Sequence, residues 1–144
     1  MGRPANQGRL LFFNRFNNKM SEDPALRWTQ PLVEGTPPAA RGGQTVVLVN
    51  EDTLVFFGGQ YYKGDDEFTF LNDVWCLDLG AMTWYQPRIA KGPKPEGRYG
   101  HTGTLVNQTS LYIFGGRAAS NKHLRDVWCL DMSKDVFIWT KVNR

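Results

Sequence analysis

Histidine and cysteine, versatile as acid–base groups, nucleophiles and metal ligands, are scarce in this 144-residue sequence. His101 and His123 are the only histidines, and Cys76 and Cys129 the only cysteines. Neither histidine has cysteines or a carboxylate cluster beside it at metal-ligand spacing, so no metal site is expected. A serine hydrolase needs its nucleophile on a strained G-x-S-x-G elbow; that motif is absent, and Ser110 falls in a tight turn. The pairs Gly58-Gly59 and Gly115-Gly116 would suit a phosphate cradle only if a Gly-Lys-Ser/Thr followed and a helix opened there, and neither holds. They are read as structural glycines. Asn107-Gln108-Thr109 formally matches a glycosylation acceptor, but it too belongs to a turn. The expectation is a chain with no catalytic residue, no cofactor and no metal.

The charged and aromatic residues are more informative, because they recur. LVFFGG at Leu54 to Gly59 returns as LYIFGG at Leu111 to Gly116, and Arg41 returns as Arg98, both 57 residues on. DVWCLD at Asp73 to Asp78 returns at Asp126 to Asp131 after 53 residues, and Trp84 as Trp139 after 55. Nearly constant offsets mean that one supersecondary unit has been duplicated, with length changes confined to its loops, and a period near fifty residues is that of a propeller blade. Residues that repeat build scaffold. Arg41 and Arg98 are expected to hold an acidic side chain or loop carbonyls of a neighbouring blade. Asp73, Asp78, Asp126, Asp131, Trp75 and Trp128 take the same structural reading.

Each unit reads as four short strands. Strand a runs near Gln44 to Val49 and near Thr102 to Val106, rich in β-branched residues and ended by the polar turns NEDT and NQTS. Strand b is Leu54 to Phe57 and Leu111 to Phe114, strand c contains DVWCLD, and strand d is centred on Trp84 or Trp139. No segment of a dozen residues keeps a 3.6-residue apolar period, so the domain is all-β. In strand c, Val74 and Cys76 alternate with Trp75, Leu77 and Leu79, which makes both faces apolar; such a sheet is packed between other sheets. Sheets stack about 10 Å apart, whereas disulfide Cα atoms lie within roughly 7 Å. Cys76 and Cys129, at equivalent places in successive sheets, are therefore expected to be free thiols of an intracellular, cytoplasmic protein.

RWTQP at 27–31, TWYQP at 83–87 and IWTKV at 138–142 are three copies of strand d, and the Gly- and Pro-rich stretches EGTPPAA and KGPKPEG after the first two are surface turns. Of the net charge of +3, residues 1–20 supply Arg3, Arg9, Arg15 and Lys19 with no acid, so the repeats are nearly neutral and carry no basic stripe for nucleic acid. No apolar run reaches the length of a membrane-spanning helix, and no export signal is visible. The apolar cluster Leu10 to Phe13 reads as a further strand; a targeting segment is the competing reading, and Asn6 breaks a myristoylation motif.

These residues resemble the kelch repeat. Arg98-Tyr99-Gly100-His101, IFGG, RDVWCLD and Trp139 follow that pattern in order, as do Arg41, FFGG, NDVWCLD and Trp84, with Gln44 in place of the histidine. The second copy has two extra residues before Trp139, and Leu77 and Leu130 stand where many kelch repeats have Tyr. The resemblance covers residues 28–144. It implies a kelch-type β-propeller segment of two four-stranded antiparallel blades plus an extra N-terminal strand or strands. Residues 1–27 would be a remnant of a preceding blade, 28–40 its strand d and connection, 41–97 repeat 1 and 98–144 repeat 2. The implied role is a non-catalytic scaffold or adaptor that binds another protein; the alternatives are an accessory region of a larger enzyme, such as a kelch-linked phosphatase, or a self-assembling structural propeller. Two blades alone leave two apolar faces, each roughly 500 Å² and on the order of 10 kcal/mol of burial. Blades of a longer parent chain, other copies of the chain or a different subunit would cover them.

In a four-strand meander, the b–c and d–a connections share one face of the disc and the a–b turns lie on the other. What does not repeat is expected to carry function, and that points to the b–c loops. The first, QYYKGDDEFTFLN, sets Tyr61, Tyr62 and Phe68 beside Asp65, Asp66 and Glu67; the second, RAASNKHLR, carries Arg117, Lys122 and Arg125. Aromatics beside acids suit a basic partner, and loops of opposite sign would otherwise attract each other.

Overall fold

The structure, a computed structural model, describes residues 12–14, 27–65 and 67–142. Expectations placed on residues 1–11 and 15–26, and on Asp66, lie outside them. Among the described residues every regular element is a strand, apart from one 3-10 turn at Ala119–Asn121. No helix among them is long and apolar enough to cross a membrane.

Strand β1 (Phe12–Asn14) pairs antiparallel with β2 (Arg27–Thr29), placing Phe13 opposite Trp28. The first blade begins with β3 (Thr45–Val49) and β4 (Thr53–Phe57). The chain then leaves the sheet for a separate hairpin, β5 (Gln60–Gly64) and β6 (Glu67–Phe70), and returns as β7 (Val74–Asp78) and β8 (Thr83–Tyr85), giving the order β3-β4-β7-β8. After β9 (Arg88–Ile89) comes the second blade, β10 (Thr102–Val106), β11 (Ser110–Phe114), β12 (Val127–Asp131) and β13 (Val136–Val142). Neighbouring strands within each blade are antiparallel, as the sequence predicts. The a–b connections are three residues long, 50–52 and 107–109, and in them Asn50 and Glu51 (φ 50° and 66°) and Asn107 and Gln108 (φ 49° and 59°) are all left-handed, as at the two central positions of a type I′ turn, whose twist matches that of the strands.

Period-two alternation gives each blade two unlike faces. One face of blade 1 presents Val47, Val49, Val55, Phe57, Val74 and Cys76. Against it blade 2 lays Leu111, Ile113, Trp128, Leu130 and Trp139, and together these form one core in which Phe57 and Trp139 meet with ring centroids 4.9 Å apart. The inner strands approach closely because β10 has Gly103 at the contact, where a β-carbon would come within 2.3 Å of Thr45 Cγ2. The outward faces are open in part, although Phe56 and Leu77 are buried on that of blade 1. Val46 and Leu48 are exposed on blade 1, and Tyr112, Phe114, Ile138 and Val142 on blade 2.

Two elements differ from expectation. The first b–c connection is no irregular loop: aromatic strand-formers flank a Gly64-Asp65 turn, and the segment folds back on itself as β5 and β6. The segment after strand d is also more than a connection. β9 crosses to the outer edge of blade 2 and pairs in parallel with β13, Arg88 opposite Val136, and Ala90 N–H donates to Phe137 O at 2.8 Å. The same device recurs one blade earlier, where Glu34 bridges in parallel to Thr83. Each blade thus covers the exposed edge strand of the next.

Candidate functional site

The repeating residues assemble the same constellation twice. In blade 1, Arg41 Nη1 and Nη2 donate to the two carboxylate oxygens of Asp73 at 2.5 and 3.0 Å, and Nη1 also reaches Gly58 O at 3.2 Å. Asp73 accepts a further bond from Trp75 Nε1 at 2.8 Å. In blade 2, Arg98 binds Asp126 at 2.7 and 3.0 Å and Gly115 O at 3.0 Å, while Trp128 Nε1 donates to Asp126 at 2.7 Å. The arginine's acidic partner therefore belongs to its own repeat, which corrects the expectation of a neighbouring blade. The reason is the Gly-Gly pair that ends strand b. Its residues are left-handed, and a β-carbon on Gly116 would stand 2.8 Å from Tyr99 O; only glycine lets the chain turn there and aim its carbonyl at the guanidinium.

What crosses between blades is the backbone of Arg98. Its N–H donates to Leu71 O at 3.0 Å and its carbonyl accepts from Gly59 N–H at 2.8 Å, both in blade 1, while its fully buried side chain serves blade 2. The side-chain bonds from Arg98, the main cause, and from Trp128 hold the Asp126 carboxyl down at about 2. Beside it, His101 is buried with its ring edge-on to Phe57 at 5.2 Å, and neither ring nitrogen has a hydrogen-bond partner among the described residues. Burial, together with the charge of Arg98, pulls its pKa down to about 4. Asp78 and Asp131 close the c–d turns, accepting from Ala81 N–H at 2.8 Å and Ser133 N–H at 2.9 Å. Trp84 packs on Phe56 with ring centroids 5.0 Å apart. All of this is scaffold.

The non-repeating residues stand on the face of the b–c and d–a connections. The β5–β6 hairpin is rooted by paired bonds between Gln60 and Gly42, each 2.9 Å. Its outer part carries Tyr62 and Phe68, 58% and 49% exposed, with ring centroids 5.2 Å apart. Tyr61 is half-buried on β5, Asp65 lies exposed at the turn, and Glu67 pairs with Lys63 at 3.6 Å. In the second b–c loop, Lys122 pairs with Glu96 of the d–a connection at 2.8 Å, Arg117 donates to Asn121 Oδ1 at 2.8 Å, and Arg125 is exposed. Among the described residues no ion pair joins the two loops. They meet through Tyr99, which in the sequence stands out only as part of the repeat motif: its ring packs on Phe70 at 5.7 Å, and its backbone exchanges two bonds with Arg117.

Cys76 and Cys129 are both unpaired; burial pushes the Cys76 thiol up to about 11, and Cys129 is raised for the same reason. Among the described residues no three His, Cys, Asp or Glu side chains gather to hold a metal ion.

Residues 5–144 match the family model of the KLHDC2/KLHL20/DRC7 Kelch-repeats domain. The chain is 34% identical over 120 residues to acyl-CoA-binding domain-containing protein 4 of Arabidopsis thaliana, a match that covers 81% of this chain and 17% of that protein. It is 33% identical over 116 residues to Kelch domain-containing protein 2 of Bos taurus, covering 81% of this chain and 26% of that one. The chain thus spans only 17% to 26% of the length of these relatives. The solved structure of YjhT superposes with a TM-score of 0.65 at 16% identity, over 85% of this chain and 43% of that one, a likeness of fold alone.

Proposed function

The chain belongs to the kelch-repeat family, and on that premise we propose that it is a non-catalytic protein-interaction module whose partner docks on the face of the b–c and d–a connections. The observation that carries this reading is the β5–β6 hairpin. It departs from the repeat, it is anchored at its base to a rigid blade, and it holds Tyr62 and Phe68 against each other in solvent. Exposed aromatics fixed on a scaffold are the usual centre of a protein interface, since they bury a large area for little lost conformational freedom. Asp65 and Glu67 at the rim, with Asp66 between them in the sequence, favour a basic partner. Arg117, Lys122 and Arg125 of the second loop extend the same surface toward its acidic residues.

The open outer faces of the two blades belong to the same reading. They are covered by further blades, supplied by a longer parent chain or by other copies. Two free thiols suit a reducing intracellular compartment. The test is affinity capture from cell extract with the native chain and with a Tyr62→Ser/Phe68→Ser variant, run beside a urea unfolding curve. A co-purifying protein should fall at least tenfold on the variant with the unfolding midpoint unchanged; equal recovery on both would overturn the docking face.

A further inference from the structure

On the opposite face, beside the a–b turn of blade 1 and the c–d turn of blade 2, the interblade core opens to solvent in a cavity of about 510 Å³. Its floor is core: Val49 and Val55 from blade 1, Met132 and the half-buried Phe137 from blade 2. Its lining also includes Arg88, Lys134 and Asp135.

The walls come from the parts of the two units that differ. Between Asp131 and Trp139 the second unit is two residues longer than the first is between Asp78 and Trp84, and strand d grows from three residues in β8 to seven in β13. The longer turn brings Lys134 and Asp135 to the cavity. Arg88 stands where the segment after Trp28 has Leu32, and the pairing of β9 with β13 fixes it at the cavity. Arg88 and Lys134 are exposed, and among the described residues neither forms an ion pair; Lys134 only lends its charge to Asp131.

A cavity of this volume is within the range of ligand pockets, and an apolar floor under two unpaired cations and one carboxylate complements an apolar side chain flanked by acid. We infer that the cavity is a second docking site, separate from the hairpin face, and that it receives a short acidic peptide segment of a partner protein. One apolar side chain of that segment is the anchor, and its carboxylates meet Arg88 and Lys134.

The test is panning of phage-displayed random octapeptides on the immobilised full chain, with the selected consensus peptide then titrated against three proteins. The consensus should place Asp or Glu beside Leu, Phe or Met. It should bind an Arg88→Glu/Lys134→Glu variant at least tenfold more weakly than the native chain, and the Tyr62→Ser/Phe68→Ser variant as well as the native chain. Both charge reversals are at exposed positions, so folding is preserved. A consensus without acid, equal binding to the charge-reversed variant, or loss of binding on the hairpin variant alone would each overturn the site, the last while leaving the hairpin face intact.

Discussion

His101 shows how far a residue's chemistry depends on what the fold places around it. In the sequence it stands in the Arg98-Tyr99-Gly100-His101 entry of the repeat, with Gln44 in its place in the first unit, but nothing there says that it is buried beside a guanidinium. The arginines were legible because they repeat, and their left-handed glycine pairs repeat with them; a group that occurs once leaves no such trace. The folded chain holds His101 neutral down to about pH 4, whereas its ordinary value is 6.5. Between these values the unfolded chain binds the extra proton, so stability falls as pH drops from 6.5 to about 4. The linkage relation makes that loss roughly 3 kcal/mol. Asp126 acts lower on the scale: its folded carboxyl titrates near 2, below the ordinary 3.8, so its contribution is present above 3.8 and disappears toward pH 2. Replacing His101 by Gln, which the first unit carries at Gln44, should flatten the upper of these two losses. Urea midpoints of both proteins from pH 7 to 4 check this, and an equal decline in H101Q would assign the effect elsewhere.

At the scale of elements, both four-stranded blades were legible, because β-branched alternation and polar turns repeat in register. The β5–β6 hairpin and β9 were not. The hairpin has no full counterpart in the second unit, whose equivalent loop holds a 3-10 turn closed by one antiparallel bridge between Arg117 and His123, and β9 is two residues long, too short for any periodicity to show. The a–b turns lead to a prediction at this scale. Type I′ turns want Asn-Gly, and here Gln108 takes the second left-handed position, at φ 59°. A left-handed non-glycine residue costs about 1–2 kcal/mol, of which a glycine loses part through the greater entropy of its unfolded chain. Gln108 is exposed, so Gln108→Gly should stabilise blade 2 by roughly 0.5 kcal/mol net. The readout is a higher urea midpoint at unchanged m-value; a lower midpoint would mean that the Gln108 side chain supports the turn.

For the whole molecule the decisive feature is that a blade has two different faces. Among the described residues, the interface between the blades joins the Cys-bearing face of blade 1 to the Trp-bearing face of blade 2, with Cys76 fully buried in the core it forms. The open faces left over are a Trp-bearing one, with Trp75 and Trp84, and a Cys-bearing one, with Tyr112 and Cys129. Contact between two such surfaces is heterologous, so further blades add head to tail, and rotation about a common axis closes them into a ring. Cys129 reports on that closure because it holds in blade 2 the register position that Cys76 holds in blade 1, opposite Tyr112 as Cys76 is opposite Val55. In the 144-residue chain, Cys129 is half-buried on an open face and should react with iodoacetamide while Cys76 stays protected until the chain unfolds. In a protein that carries the remaining blades, the next Trp-bearing face would cover Cys129 and slow its labelling at least tenfold, toward the rate of Cys76. Peptide mass spectrometry over a labelling time course separates the two thiols, and undiminished labelling of Cys129 in the longer protein would mean that no blade docks on this face.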